Sequence, residues 1–248
     1  MQSTQVVRVE VLGPVQAEVV PWRQAGQRTL SVVAKATLAL DEGVARVIAP
    51  DPIHASEQYV QGTSSLWSDS DLAPFKPRVD LSYVGLAWSP VPVQQLRARL
   101  AVEGARARLD KSLIVVGEQR GRGAAPEPFS HMALGWERAW ADASGLNPIG
   151  VAPDSGRLPT LYYPVDGRRP AGFGPVGRNW PVRRRLLGSI DPRSLDVPEP
   201  DLPRSMPWHH YCSAPADQQL EQLGGDETIM LEHLIEGAPK LRSKLPGA

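Results

Sequence analysis

Of the 248 residues, one is cysteine, Cys212, and three are phenylalanine. A lone cysteine excludes an internal disulfide framework. No run approaches the 18 apolar residues of a membrane-spanning helix. Met1-Gln2-Ser3-Thr4-Gln5 shows no basic region leading into an apolar stretch, so no secretory leader is expected. The expected compartment is therefore the cytoplasm. There is no net charge either, 27 basic side chains facing 27 acidic ones, and a general nucleic-acid binder would be basic. Recognised nucleophile and phosphate motifs are missing too. There is no Gly-x-Ser-x-Gly elbow, no His-Glu-x-x-His and no Walker loop.

What the chain does have is 25 prolines and 22 glycines. Together they are roughly one residue in five, above the average of about 12% and below the range of disordered chains. Punctuation this dense leaves little room for long helices. With 42% hydrophobic residues, the chain can still bury a core. The expected fold is mainly β: antiparallel sheets, as a sandwich or an open barrel-like arrangement, with long Pro/Gly-rich loops and only short helices.

Alternation supports this. Leu30, Val32, Ala34, Ala36, Leu38 and Leu40 occupy every second position, with Thr29, Ser31, Lys35 and Thr37 between them. That period of two predicts a half-buried strand. Val7, Val9 and Val11 alternate with Arg8 and Glu10 in the same way. Asp41-Glu42-Gly43 predicts a turn into a hairpin arm, Val44–Ile48. Further on, Leu96, Ala98, Leu100 and Val102 share one face, and a turn at Glu103-Gly104 leads to Ala105, Ala107 and Leu109. The arginines between them read as a wet sheet face, or as a basic strip for an acidic partner. Met132–Ala141 and Asp217–Leu223 read as short helices, and Thr228–Leu234 as a strand or a helix by pattern alone, with Gly224-Gly225 before it and Glu236-Gly237 after it favouring the strand. The chain reads as one domain, 1–248, with an N-terminal β region over residues 1–117 and a loop-rich β region over residues 118–248.

The chemistry-bearing candidates are few. Gly172-Phe173-Gly174-Pro175-Val176-Gly177 has the letters of a dinucleotide fingerprint, but Gly167-Arg168-Arg169-Pro170 before it predicts no strand and Asn179-Trp180-Pro181 after it opens no convincing helix. A loop packed by Phe173 and Trp180 suits it better. His209-His210-Tyr211-Cys212 offers two imidazoles and a thiol, of which only His210 and Cys212 would share a face in an extended segment. Asp69-Ser70-Asp71, Asp80 and Asp226-Glu227 supply carboxylates that could serve acid/base hydrolysis of sugars, or simply hold turns. Arg183-Arg184-Arg185 is short enough to be a solvated face.

Several strings, taken in order, form a more specific pattern. They are Asp71-Leu72-Ala73-Pro74-Phe75-Lys76-Pro77-Arg78-Val79-Asp80, Gly85-Leu86-Ala87-Trp88-Ser89-Pro90, and Trp136-Glu137-Arg138-Ala139-Trp140. Asn147-Pro148-Ile149-Gly150, Leu158-Pro159, Pro170-Ala171-Gly172-Phe173-Gly174-Pro175 and Trp180-Pro181 follow. Ala214-Pro215-Ala216-Asp217-Gln218-Gln219 and Gly225-Asp226-Glu227 complete the set. In this order the chain resembles, over roughly residues 6–246, a bacterial domain-of-unknown-function family of type VI secretion effector adaptors and chaperones. Two strings depart from the family pattern. Gly117-Glu118-Gln119-Arg120-Gly121 lacks the expected aromatic, and Ala141-Asp142 stands where Gly-Gly is usual.

The resemblance implies a non-enzymatic protein that holds a secreted effector or toxin and helps load it onto the spike or PAAR-tip protein. It implies no cofactor, metal, nucleic acid, membrane or small-molecule substrate, and no catalytic residue to carry over. Partner contacts are then expected at Asp71, Phe75, Lys76, Arg78, Asp80, Phe173 and Trp180. Lys76 has a second reading, an ion pair with Asp71 or Asp80 that pins the proline-flanked loop. An uncharacterised hydrolase and a structural component of the secretion particle are the alternatives.

Overall fold

The computed structural model describes residues 9–121 and 123–246. Strands β1 (Gln16–Gln24) and β2 (Gln27–Lys35) form the first hairpin, paired without a slip from Gln24↔Gln27 to Gln16↔Lys35. Ala25 and Gly26 both have positive φ, 50° and 80°, as a two-residue turn of the hairpin type requires. The expected single strand through Leu40 is interrupted at Ala36. It resumes as β3 (Thr37–Ala39), which pairs with β5 (Arg46–Ile48), and β4 (Gly43–Val44) between them leaves for another sheet. Val9–Val11 form no strand, and Val7, Arg8 and Met1–Gln5 lie outside the described residues.

The order continues with β6 (Gln58–Tyr59), β7 (Leu66–Ser68), β8 (Val79–Asp80), β9 (Leu86–Val93), β10 (Gln95–Glu103) and β11 (Arg108–Val116). Then come β12 (Phe129–Ala133), β13 (Leu161–Tyr162), the four-residue helix α1 (Pro181–Arg184) and β14 (Asp201–Leu202). The last strands are β15 (Gln219–Leu220), β16 (Thr228–Ile235) and β17 (Ala238–Lys244). The largest sheet runs β13-β11-β10-β16-β17-β4, antiparallel except where β17 meets β4. A three-stranded sheet, β14-β1-β2, and several two-stranded ribbons surround it. No barrel closes among the described residues, and none of their helices is long and apolar enough to cross a membrane.

The alternation in β10 and β11 has the expected result. Leu96, Ala98, Leu100, Val102, Ala107 and Leu109 are buried, and Arg97, Arg106 and Arg108 face water. Full burial of each larger aliphatic side chain stabilises by about 1.5–3 kcal/mol. Arg99 is half-buried and forks onto Asp110 at 2.8 Å with both Nε and Nη2, while Nη1 reaches Glu232 across the sheet. Arg99 is thus tied across the sheet by ion pairs, and the rest of the strip is a wet face.

Two expected helices are absent. Residues around Met132 form β12 and then one 3-10 turn, Trp136–Arg138. Around Gln218 a 3-10 turn, Ala216–Gln218, runs into β15. Gln218 is fully buried, and its Nε2 donates to the Leu81 and Phe173 carbonyls. Those bonds to distant loops fix an irregular segment that a continuing helix would have withdrawn.

One core cluster lies on the large sheet and includes Leu113, Leu161 and Phe173. A second joins Trp22 and Ala73 to Leu187, Leu202, Met206 and Tyr211, underneath the β1–β2 hairpin.

Candidate functional site

The segment from Asp71 to Asp80 is pinned against the underside of that hairpin. Ser31, on β2, receives the Trp22 indole N–H at 3.0 Å and donates to the Pro74 carbonyl. Lys35 reaches Asp71 at 2.8 Å and the Pro52 carbonyl at 2.9 Å. Asp71 also accepts the His54 backbone N–H at 2.8 Å. Phe75 is half exposed and meets the Trp208 ring edge-on at 5.5 Å, and Trp208 in turn meets Trp22 at 5.3 Å. Such edge contacts add about 0.5–1.5 kcal/mol beyond burial.

These contacts reverse an expectation about β2. Leu30, Val32 and Ala34 do share a face, but it points outward. Leu30 is 37% and Val32 59% exposed. The polar positions Thr29, Ser31 and Lys35 point inward, half-buried, because Ser31 and Lys35 find partners there. On the same face as Leu30 and Val32, their cross-strand partners Pro21 and Val19 are half-buried. β2 is also an edge strand among the described residues. It is nine residues long, without proline or bulge, and its charged side chains stand only towards its two ends, at Arg28 and Lys35, leaving Leu30–Ala34 unguarded.

Lys76 forms its ion pair with Asp80, at 2.6 Å. The Asp80 carboxylate is 7% exposed, and its Oδ2 also accepts the Ser213 backbone N–H at 2.7 Å. Its Oδ1 is buried with no hydrogen-bond partner among the described residues. Arg78 lies at the surface, 2.7 Å from Glu221. Asp71, Lys76 and Asp80 line one groove of about 340 Å³ with Asp69, Trp67 and Ser213. Asp226 and Glu227 lie elsewhere. Asp226 accepts the Ala105 N–H, and Glu227 accepts those of Gly224 and Gly225. The Gly224 N–H foremost holds the Glu227 carboxyl below its usual range. Each of these carboxylates is committed to a cation or to backbone N–H groups.

Phe173 and Trp180 take different places. Phe173 is fully buried, edge-on to Tyr83, and presents nothing to the surface. Trp180 is half-buried against Trp136 at 6.0 Å. The glycine-rich loop around Phe173 wraps the Trp136 indole, whose N–H donates to the Gly174 and Pro175 carbonyls. A Cβ on Gly172 would stand 2.9 Å from that ring. The loop therefore turns carbonyls inward where a phosphate cradle would need N–H groups.

Of the arginine triplet, Arg183 is buried rather than solvated. It donates to Asp69, to the Val176 carbonyl and twice to the His210 carbonyl. His210 and Cys212 are buried too, with His210 Nδ1 3.2 Å from the Arg183 carbonyl. Among the described residues, no three His, Cys, Asp or Glu side chains converge as a metal site would need.

Sequence reading singled out the 71–80 loop but passed over the outward face of β2. A strand without proline or lysine at its outward positions was the available signal. No curated protein and no solved structure matches the chain. A family model, described as an uncharacterized protein conserved in bacteria (DUF2169), matches residues 25–248. The chain belongs to that family.

Proposed function

We propose that this protein is a non-enzymatic adaptor and chaperone of type VI secretion. It binds a secreted effector and presents it to the spike or PAAR-tip protein. One observation carries the reading: the apolar outward face of the β1–β2 hairpin, with Leu30 and Val32 exposed beside an unpaired strand edge. Exposed apolar area of this kind marks a protein interface, and an open edge offers backbone hydrogen bonds with few sequence demands. The proline-fixed loop under it, with Phe75 half exposed, holds that surface rigid and lowers the ordering cost of binding. The resemblance in the ordered strings supports a secreted effector as the partner.

The test is co-expression of the tagged chain with the spike, PAAR-tip and toxin genes of its own neighbourhood, followed by affinity purification. A toxin or spike protein recovered in stoichiometric amount is the expected result. Recovery of the folded chain alone, across all three genes, overturns the reading.

A further inference from the structure

The hairpin has a second open edge. Arg23 donates its backbone N–H to the Pro200 carbonyl at 2.8 Å, away from β2. In an antiparallel pair, residues alternate between facing the partner and facing away. Ala17, Val19 and Pro21 therefore turn their backbone groups to the same side as Arg23. β14 occupies that side only at Arg23 and Gln24. Beyond it the chain recedes, and a cleft of about 630 Å³ separates β1, from Gln16 to Pro21, from Leu195, Val197 and Pro198. Ligand sites commonly fall in this size range.

The free groups along β1 show what would fill the cleft. Among the described residues, the Ala17 N–H has no backbone partner in this cleft. Among the described residues, the Val19 N–H is met, at 3.3 Å, only by the carboxylate of its neighbour Glu18. Pro21 has no N–H. Donors and acceptors that recur every second residue along an extended edge match the backbone of another strand. β14 already shows that a strand adds here, in parallel.

We infer that the cleft between β1 and Leu195–Pro198 accepts an extended peptide segment of another polypeptide, which lengthens the β14 position of the sheet along Gln16–Pro21. The Glu18 carboxylate holds the Val19 N–H until the peptide arrives. Pro21 sets the register, because a carbonyl opposite it would go unpaired. The inference deepens the adaptor reading and rests on it for the natural partner, which would be held here by backbone rather than by side-chain identity.

A displayed library of linear peptides is the probe, with selected peptides resynthesised and measured by fluorescence anisotropy against the full chain. Selected peptides are expected to bind the wild type. Val19→Pro is expected to weaken them about tenfold, the effect of one lost backbone hydrogen bond in the cleft. Its unfolding transition should stay close to wild type, since Pro21 already occupies an equivalent position in the strand. Glu18→Ala is expected to bind at least as tightly as wild type. N-methylation of the peptide at alternate residues is the variant that leaves the protein untouched. One parity should abolish binding and the other should be tolerated. No enriched peptide, or peptides indifferent to Val19→Pro and to both methylation parities, overturns the inference. Either outcome with the toxin or spike still co-purifying leaves the adaptor reading standing.

Discussion

Arg183 Nη2 lies 2.8 Å from Asp69 Oδ2, and both side chains are more than nine-tenths buried. This pair joins α1 to the segment that carries Asp71 and the proline-flanked loop. Arg183 also satisfies two carbonyls, so its donors are spent on fixing backbone. Breaking such a pair leaves a buried charge without its partner, and that costs about 3–5 kcal/mol. Asp69→Ala should lower the stability by that amount in urea unfolding, with little relief from added salt, because buried pairs are poorly screened. A loss within the scatter of ordinary surface substitutions would show that the pair does not anchor the loop.

Gly172 is tested by one carbon atom. Gly172→Ala drives a Cβ to 2.9 Å of the fully buried Trp136 ring. Overpacking of this kind costs about 1–3 kcal/mol. Thermal unfolding followed by tryptophan fluorescence should report both the lower midpoint and a changed Trp136 environment.

The stability should also fall in mild acid. Burial, more than the nearby Arg183 and Arg178 charges, holds the His210 imidazole below its ordinary value, against the Arg183 carbonyl and Asp69, which favour the proton. The unfolded chain therefore binds a proton as pH drops through about 6.5 while the folded chain resists it. Below that pH the unfolded state gains, so stability rises with pH across the window. His210→Gln should flatten that stretch of the melting profile. An unchanged slope would assign the acid sensitivity to other groups.

Lys76 separates pinning from recognition. Lys76→Met removes the cation beside Asp80 but keeps the bulk of the side chain. Lys76 is 41% exposed but Asp80 only 7%, so the substitution leaves a largely buried carboxylate with the Ser213 N–H and no cation, and costs more than the about 1 kcal/mol of a fully exposed pair. The expected result is a loss of stability with partner capture by the folded variant unchanged, read from melting and co-purification side by side. Lost capture with unchanged stability would move Lys76 into the interface.

Much of the sheet was legible because it depends on local alternation. Leu96–Val102 is a strand as its pattern predicts, with Leu96, Ala98, Leu100 and Val102 buried, and Thr228–Leu234 is a strand as its flanking glycines favour, although Met230, Leu231 and Leu234 are buried out of strict alternation. The orientation of β2 was not legible, since it depends on partners far away in sequence. Ser31 turns inward because the Pro74 carbonyl waits for it 43 residues later, and Lys35 does so because of Asp71, 36 residues later. Period alone gives two faces without saying which one meets the core. The helices expected near Met132 and Gln218 gave way for a related reason: backbone pairing with β9 holds the chain at Met132, and buried side-chain bonds to other loops hold it at Gln218, over local propensity. At the candidate site, the Asp71–Asp80 loop was visible through its prolines and charges. The open edges of the hairpin were not, because an unpaired edge is a property of topology.

The most direct measurement of the central claim compares the wild type with Leu30→Ser/Val32→Asp in capture of the co-expressed toxin or spike protein. Val32 is 59% and Leu30 37% exposed, so the double variant should stay folded with a melting midpoint lowered only by the about 1 kcal/mol per site that strand propensity spans. The account predicts stoichiometric capture by the wild type and loss of capture by the folded variant. Equal capture by both proteins would contradict it.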